Sequence, residues 1–289
     1  MALLGCGAMG QRHAATVDRD PEARLAVVVD IVEDRADALA HRFGAAVRTD
    51  VPAGIDAAIV ATPTSTHVDV ARPLLERGIP CLVEKPLAST VRAARDLDVE
   101  RCFVGHIERF NPALVQAGAL SPQVVVGRRV APPTGRSSDV DVVLDLMIHD
   151  LDLLLHWGGA ERWHVVDAKG VGVPGRVDTA SVQLRSAGGR TASLLASRVA
   201  SHRERVLHCY EPGRTTRLDL VAGTCVQTPE APTGERTSAP RHEPSRDALL
   251  AQWSAFRAAV AGDGVEATSS RAGLRAVQLA EDIREAVVT

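Results

Sequence analysis

The feature that most narrows the possible folds is a set of glycines at the start of the chain. Ala2-Leu3-Leu4 lead straight into Gly5-Cys6-Gly7-Ala8-Met9-Gly10, and Gln11 to Val17 continue as a helical stretch. Glycines at this spacing let a strand turn tightly into a helix, so backbone N–H groups at the helix N-terminus can face a pyrophosphate. A second apolar run, Leu25 to Val29, ends on Asp30. A carboxylate at the tip of that strand suits a ribose 2′-hydroxyl and repels a 2′-phosphate. No arginine follows it immediately. The pattern predicts NAD rather than NADP, held by Gly5, Gly7, Ala8, Met9, Gly10 and Asp30. An ordinary glycine-rich turn would leave Asp30 unexplained.

The first hundred residues go on alternating. Strand-like runs at Leu3–Leu4, Leu25–Val29, Ala57–Ala61, Cys81–Val83 and Cys102–Val104 are separated by helical patterns at Glu33–Phe43, His67–Arg77 and Ser89–Leu97. Repeated βαβ units predict a doubly wound parallel sheet with its ligand at the carboxyl ends of the strands. Past residue 120 short strand-like runs dominate, divided by Gly, Ser and Pro. One strong helical pattern, Val142 to His156, interrupts them, and another closes the chain near Leu274–Val287. Residues 1–120 therefore read as a dinucleotide-binding α/β domain, and 121–289 as an α+β domain with an open, mostly antiparallel sheet. Gly223 to Ser245, rich in Thr, Pro, Glu and Arg, reads as a surface loop.

The balance of 33 basic and 36 acidic side chains offers no electrostatic footprint for nucleic acid or an anionic membrane. No apolar run is long enough to span a bilayer and the N-terminus is already a strand and turn, so a cytoplasmic protein is expected. The five cysteines lack metal spacing and read as reduced, structural residues.

Three further constellations carry chemistry. Glu84-Lys85-Pro86 follows the Cys81–Val83 run, and a lysine at such a strand end can hydrogen-bond a substrate hydroxyl. Asp145 and His149 lie four apart on a helical pattern, so carboxylate and imidazole share a face and can serve proton transfer. The stripe continues to Asp152 and His156. Two Asp and two His on one face also fit a metal site, but no other ligand cluster accompanies them, and no metal is expected. Gly105-His106-Ile107-Glu108-Arg109-Phe110-Asn111-Pro112 crowds polar groups just after a strand end, where substrates bind.

Taken with Ala61-Thr62-Pro63-Thr64-Ser65-Thr66-His67, these motifs resemble the glucose–fructose oxidoreductase and inositol dehydrogenase (Gfo/Idh/MocA) family in the family's own order. The resemblance implies a Rossmann domain, then a sheet domain for substrate binding and oligomerisation, usually as homodimers or homotetramers. It implies a dehydrogenase acting on sugar-like alcohols. Lys85, Asp145 and His149 would be the catalytic set, with His149 as base, and all three would touch substrate. Ala61, Thr62, Pro63 and His67 would lie along the nicotinamide half of NAD, with Glu84 near its ribose and Lys85 beside both ligands. The Gly105–Pro112 stretch together with Leu144–Asp152 most resembles the branch that oxidises the 3-hydroxyl of UDP-N-acetylglucosamine or its uronic acid, and Arg109 and Asn111 would then contact sugar or phosphate. Two alternatives stand beside this: an inositol or free-sugar dehydrogenase of the same family, and a non-catalytic sugar or NAD sensor. The sensor would be expected to lose the acid–base set, which is present. The chain departs from the family in its short first run, Ala2–Leu4, and in abbreviated segments around Asp50–Asp56 and Ser89–Cys102.

Overall fold

The short apolar runs of the first half become the strands of one parallel sheet. The computed structural model describes residues 1–133, 140–173, 176–229, 247–263 and 268–287. Its first elements are β1 (Ala2–Leu4), α1 (Ala8–Asp18), β2 (Val27–Val29), α2 (Glu33–Phe43), β3 (Ala46–Val47) and β4 (Ala58–Val60). There follow α3 (His67–Glu76), β5 (Cys81–Val83), α4 (Val91–Arg95) and β6 (Cys102–Val104). The six strands stand in the order β3-β2-β1-β4-β5-β6, all parallel, as expected for a doubly wound sheet. The register sets Leu3 beside Val28 and Ile59, so apolar side chains meet across the central strands.

The second half holds α5 (Pro112–Ala117), β7 (Val124–Val130), α6 (Ile148–Trp157), β8 (Trp163–Val173), β9 (Arg176–Ser186) and β10 (Thr191–Ser197). β11 (Glu204–Glu211), β12 (Arg214–Asp219), β13 (Thr224–Pro229), α7 (Ala248–Ala261) and α8 (Ser270–Ala286) complete it. The second sheet runs β13-β12-β11-β7-β10-β9-β8, antiparallel except for the β7–β10 pair. This is the open, mostly antiparallel sheet expected.

The structure differs from the sequence reading at three points. The boundary lies not at residue 120: one compact unit comprises Met1–His106 with Leu249–Leu274, the other Ile107–Ala248 with Arg275–Thr289. The reason is the apolar face of α7. Trp253 and Phe256 join Leu3, Val28, Ile59 and Leu82 in the first unit's core, and Phe256 meets Phe103 edge-on at 5.5 Å. The Trp253 indole N–H donates to Asp20 at 2.7 Å, which satisfies its one buried donor. The proposed loop Gly223–Ser245 begins instead as a strand, because β13 pairs with β12 through Thr224–Pro229. Residues 230–245 of that loop lie outside the described residues. The Val142–His156 pattern is also not uniform: Val143–Met147 is π-helical before α6 begins. Among the described residues no helix is long and apolar enough to cross a membrane.

Candidate active site

In the first unit, the residues just past β1, β2, β4 and β5 are the candidate site residues Gly5, Asp30, Ala61 and Glu84. Gly5 N–H donates to Val29 O (2.8 Å), Ala61 to Leu4 O (2.8 Å), Glu84 to Val60 O (2.9 Å) and Gly105 to Val83 O (2.7 Å). The ladder thus extends one residue beyond β1, β4, β5 and β6, and aligns these positions along the carboxyl edge of the sheet.

The three glycines are required for different reasons. Gly5 has φ +93°, and a Cβ there would lie 2.6 Å from the Ala61 carbonyl. A Cβ on Gly10 would lie 1.9 Å from Gly5 O, so only glycine lets α1 approach the turn. A Cβ on Gly7 meets nothing within 4 Å. Gly7 faces open space, as a residue must if a pyrophosphate is to come against its backbone. No side chain caps α1 and its first turn has no acidic residue, so its N-terminus is free to attract an anion. At the end of β2, Asp30 accepts from Cys6 N–H (2.6 Å) and Val32 N–H (2.8 Å), one at each oxygen. A carboxylate held in this way keeps lone pairs for ribose hydroxyls. These residues fit NAD. Burial pushes the neighbouring Cys6 thiol up to about 11, with help from Asp30, so it stays protonated and unreactive.

His67 is not an open contact beside the nicotinamide. It is buried, with Nε2 3.0 Å from Thr62 O and Nδ1 3.0 Å from Pro86 O. It lies between the loop after β4 and the loop after β5, and as a neutral imidazole it donates to one of these carbonyls at a time. Burial lowers its pKa, against the pull of those carbonyls. Glu84, expected near the ribose, is also turned inward. Its Oε1 lies 2.7 Å from His13 Nε2, and its Oε2 accepts from Lys85 N–H at 3.1 Å. Burial alone would raise its pKa, but the His13 hydrogen bond and the His13 and Lys85 charges together hold it below the usual carboxylate range. Half-buried Lys85 follows, joined to Pro86 by a cis peptide.

In the second unit, Asp145 lies in the π-helical segment and His149 at the start of α6. The Asp141 carboxylate accepts from Val143 N–H (3.0 Å) and Leu144 N–H (3.2 Å), which fixes the start of the segment. Such π segments interrupt helices chiefly at functional sites. His149 is buried, whereas Asp145 is half-exposed.

Arg109 and Asn111 do not have the freedom expected of substrate contacts. Arg109 grips buried Asp152 with two bonds, Nε to Oδ2 at 2.8 Å and Nη2 to Oδ1 at 2.7 Å. Asn111 caps α5, accepting from Ala113 N–H (3.0 Å), while its amide donates to Glu108 (2.8 Å) and Leu220 O (3.0 Å). Both are engaged with neighbours in the fold, Asn111 buried and Arg109 partly exposed. No sequence motif marks the network beneath them. Arg129, 1% exposed, donates to Asp150 through Nε (3.1 Å) and Nη2 (2.6 Å), and to Glu108 through Nη1 (2.7 Å). Arg205 adds a 3.2 Å bond to Glu108. At Glu108, burial is outweighed by the Arg129 and Arg205 charges and the pKa falls; at Asp150, burial prevails over Arg129 and it rises. Among the described residues no group of three His, Cys, Asp or Glu is placed to hold a metal.

An acid-tipped glycine turn at the edge of this sheet defines a nicotinamide-dependent oxidoreductase. Residues 1–100 match the family described as Oxidoreductase family, NAD-binding Rossmann fold. Over 305 residues the chain is 34% identical to UDP-N-acetylglucosamine 3-dehydrogenase of Acidithiobacillus ferrooxidans, covering 99% of this chain and 96% of that protein. The solved structure of that enzyme, GnnA, superposes with a TM-score of 0.88 at 32% identity, over 99% of this chain and 96% of the other. Inositol 2-dehydrogenase of Rhizobium meliloti is 31% identical over 229 residues, 69% of each chain. The chain belongs to the Gfo/Idh/MocA family of NAD-binding oxidoreductases, as its motifs implied, and is a dehydrogenase of that family.

Proposed function

We propose that this enzyme oxidises the 3-hydroxyl of a UDP-N-acetylglucosamine-type nucleotide sugar to the ketone. One observation carries the reading: similarity to a UDP-N-acetylglucosamine 3-dehydrogenase extends over 99% of the chain, whereas the inositol dehydrogenase match covers 69%. In this proposal His149 accepts the proton of the reacting hydroxyl. Lys85, as the ammonium, hydrogen-bonds the same oxygen and favours the alkoxide. Asp145, one helical turn before His149, orients the imidazole or the sugar. NAD, when bound, accepts the hydride that leaves the sugar carbon. Ala61, Thr62 and Pro63 line the loop that would meet its nicotinamide end. Asp30 favours NAD over NADP, because a 2′-phosphate would meet a carboxylate already held in place.

The test is NADH formation from NAD with a panel of UDP-sugars, free hexoses and inositols. Turnover with UDP-N-acetylglucosamine or its uronic acid alone supports the proposal. Turnover with inositols alone moves the chain to the inositol branch, the second reading that the 31% match favours. Binding of NAD with no turnover across the panel supports a sensor.

We place the enzyme in the cytoplasm, as a homodimer or homotetramer joined through the open sheet. Val124 and Tyr210 are directly paired across β7 and β11, and with Val126 they leave an exposed apolar strip on one face. Val126→Glu should shift the mass measured by light scattering to that of the monomer; an unchanged mass would exclude this face.

A further inference from the structure

Lys85 has a backbone held on both sides by buried histidines that the proposed reaction does not use. On one side its N–H is bonded to Glu84, which is bonded to His13. On the other, the carbonyl of Pro86 faces His67 Nδ1. His13 is the less expected of the two. It stands one turn beyond Gly10 on the buried stripe of α1, with Gly10, Ala14 and Val17, and is 1% exposed. An imidazole among the buried residues of α1 is costly unless its nitrogens are bonded. Nε2 has Glu84, and Nδ1 has no hydrogen-bond partner among the described residues.

We infer that His13 is a positioning residue for Lys85, acting through Glu84. The inference rests on the proposed role of Lys85 in the reaction. The geometry leaves Glu84 little freedom to act otherwise. Its carboxyl lies against Gly105, where an added Cβ would come within 3.2 Å of the carboxyl carbon and both oxygens. One oxygen is bonded to His13 and the other to Lys85 N–H. The root of the lysine side chain is thus fixed by a carboxylate that is itself fixed from α1. The chain of bonds also joins the glycine turn, where the cofactor would bind, to the residue that would touch the substrate. The titratable groups interacting with Glu84 are His13, Lys85 and His67. Without His13, burial would raise the Glu84 pKa, and a protonated Glu84 could no longer accept two hydrogen bonds on the same terms.

The experiment compares His13→Leu, His13→Gln, Glu84→Gln and Lys85→Met in the full-length protein, with the substrate that the panel identifies. His13→Leu should lower kcat about 10- to 100-fold, the scale on which small misplacements of a reacting group act. Its KM for NAD should change little. The acid limb of its pH–kcat profile should move to higher pH as Glu84 loses its bond. His13→Gln, which restores an N–H donor, should recover most of the rate. Glu84→Gln should reproduce the loss, since an amide accepts at only one of the two positions where the carboxylate accepts at both; it serves equally if His13→Leu fails to fold. An unchanged kcat and pH profile in His13→Leu, or wild-type turnover by Glu84→Gln, would overturn the inference. So would a loss confined to NAD affinity. An active Lys85→Met would overturn the role of Lys85 and the inference together; an inactive Lys85→Met beside a normal His13→Leu would overturn the inference alone.

Discussion

Arg129→Met should destabilise the second unit severely. Wild-type Arg129 is wholly enclosed and neutralises two carboxylates at once, Asp150 through Nε and Nη2 and Glu108 through Nη1. The methionine would fill much of the volume but carry no charge. Glu108 would keep Arg205 at 3.2 Å and the Asn111 amide at 2.8 Å, whereas Asp150 would lose the guanidinium that holds both of its oxygens. Removing one partner from a buried ion pair costs about 3–5 kcal/mol, because the other charge is left desolvated. In a chain of this size that corresponds to a fall of roughly 6–20 °C in Tm. The penalty should depend on pH in a definite direction. With Arg129 gone, burial sets a folded-state pKa for Asp150 above its unfolded value. The folded state then binds the extra proton, so the deficit narrows as pH falls and widens as pH rises. Asp150→Leu added to Arg129→Met should recover most of the loss, since a whole buried pair can be exchanged for apolar groups at little cost. The assay is thermal unfolding followed by circular dichroism across a pH series. A single-mutant Tm within about 2 °C of wild type, where the scale above requires at least about 6 °C, would refute the reasoning.

The glycines of the first turn should fail in different ways. Gly7→Ala should leave Tm nearly unchanged and weaken NAD binding at least about tenfold in calorimetric titration, as ~1.4 kcal/mol of lost backbone approach implies. Gly10→Ala should lower Tm even without NAD, because its Cβ would overlap Gly5 O. Lys85→Met and His149→Asn should each abolish NADH production while NAD binding stays nearly intact; turnover at the wild-type rate in either would remove that residue from the mechanism. His67, with its pKa lowered by burial, contributes stability that is complete above its unfolded value of 6.5 and is lost as pH falls towards the folded value. His67→Gln should therefore flatten the dependence of Tm on pH just below 6.5, measured against wild type.

The parallel sheet and its edge were legible because the fold concentrates chemistry at strand ends, where glycine, an acid and Glu84-Lys85-Pro86 interrupt apolar runs. The antiparallel sheet was legible as a class, but β13 was hidden by polar composition, since a strand at the sheet edge needs few apolar residues. The assignment of α7 to the first unit could not be read from position along the chain. It depends on Trp253 and Phe256 meeting a core built from residues some two hundred positions earlier. The partners of Arg109 and Asn111 were not legible, because a basic or amide side chain at a strand end looks the same in sequence whether it faces a ligand or a buried carboxylate. His13 did leave a signal: it is the one imidazole on the buried stripe of α1.

The return of α7 to the first core has a consequence for the order in which the chain matures. A ribosome delivers every strand of the parallel sheet by Val104, yet the aromatic cover for Phe103 arrives only with Trp253 and Phe256. The dinucleotide-binding unit therefore stays incomplete while all of the second sheet is synthesised, and its closing segment, Leu249–Leu274, comes only just before Arg275–Thr289 closes the other unit. A nascent chain halted after residue 120 would display an apolar sheet face covered by α1 and α2 but not at Phe103, a natural client for chaperones.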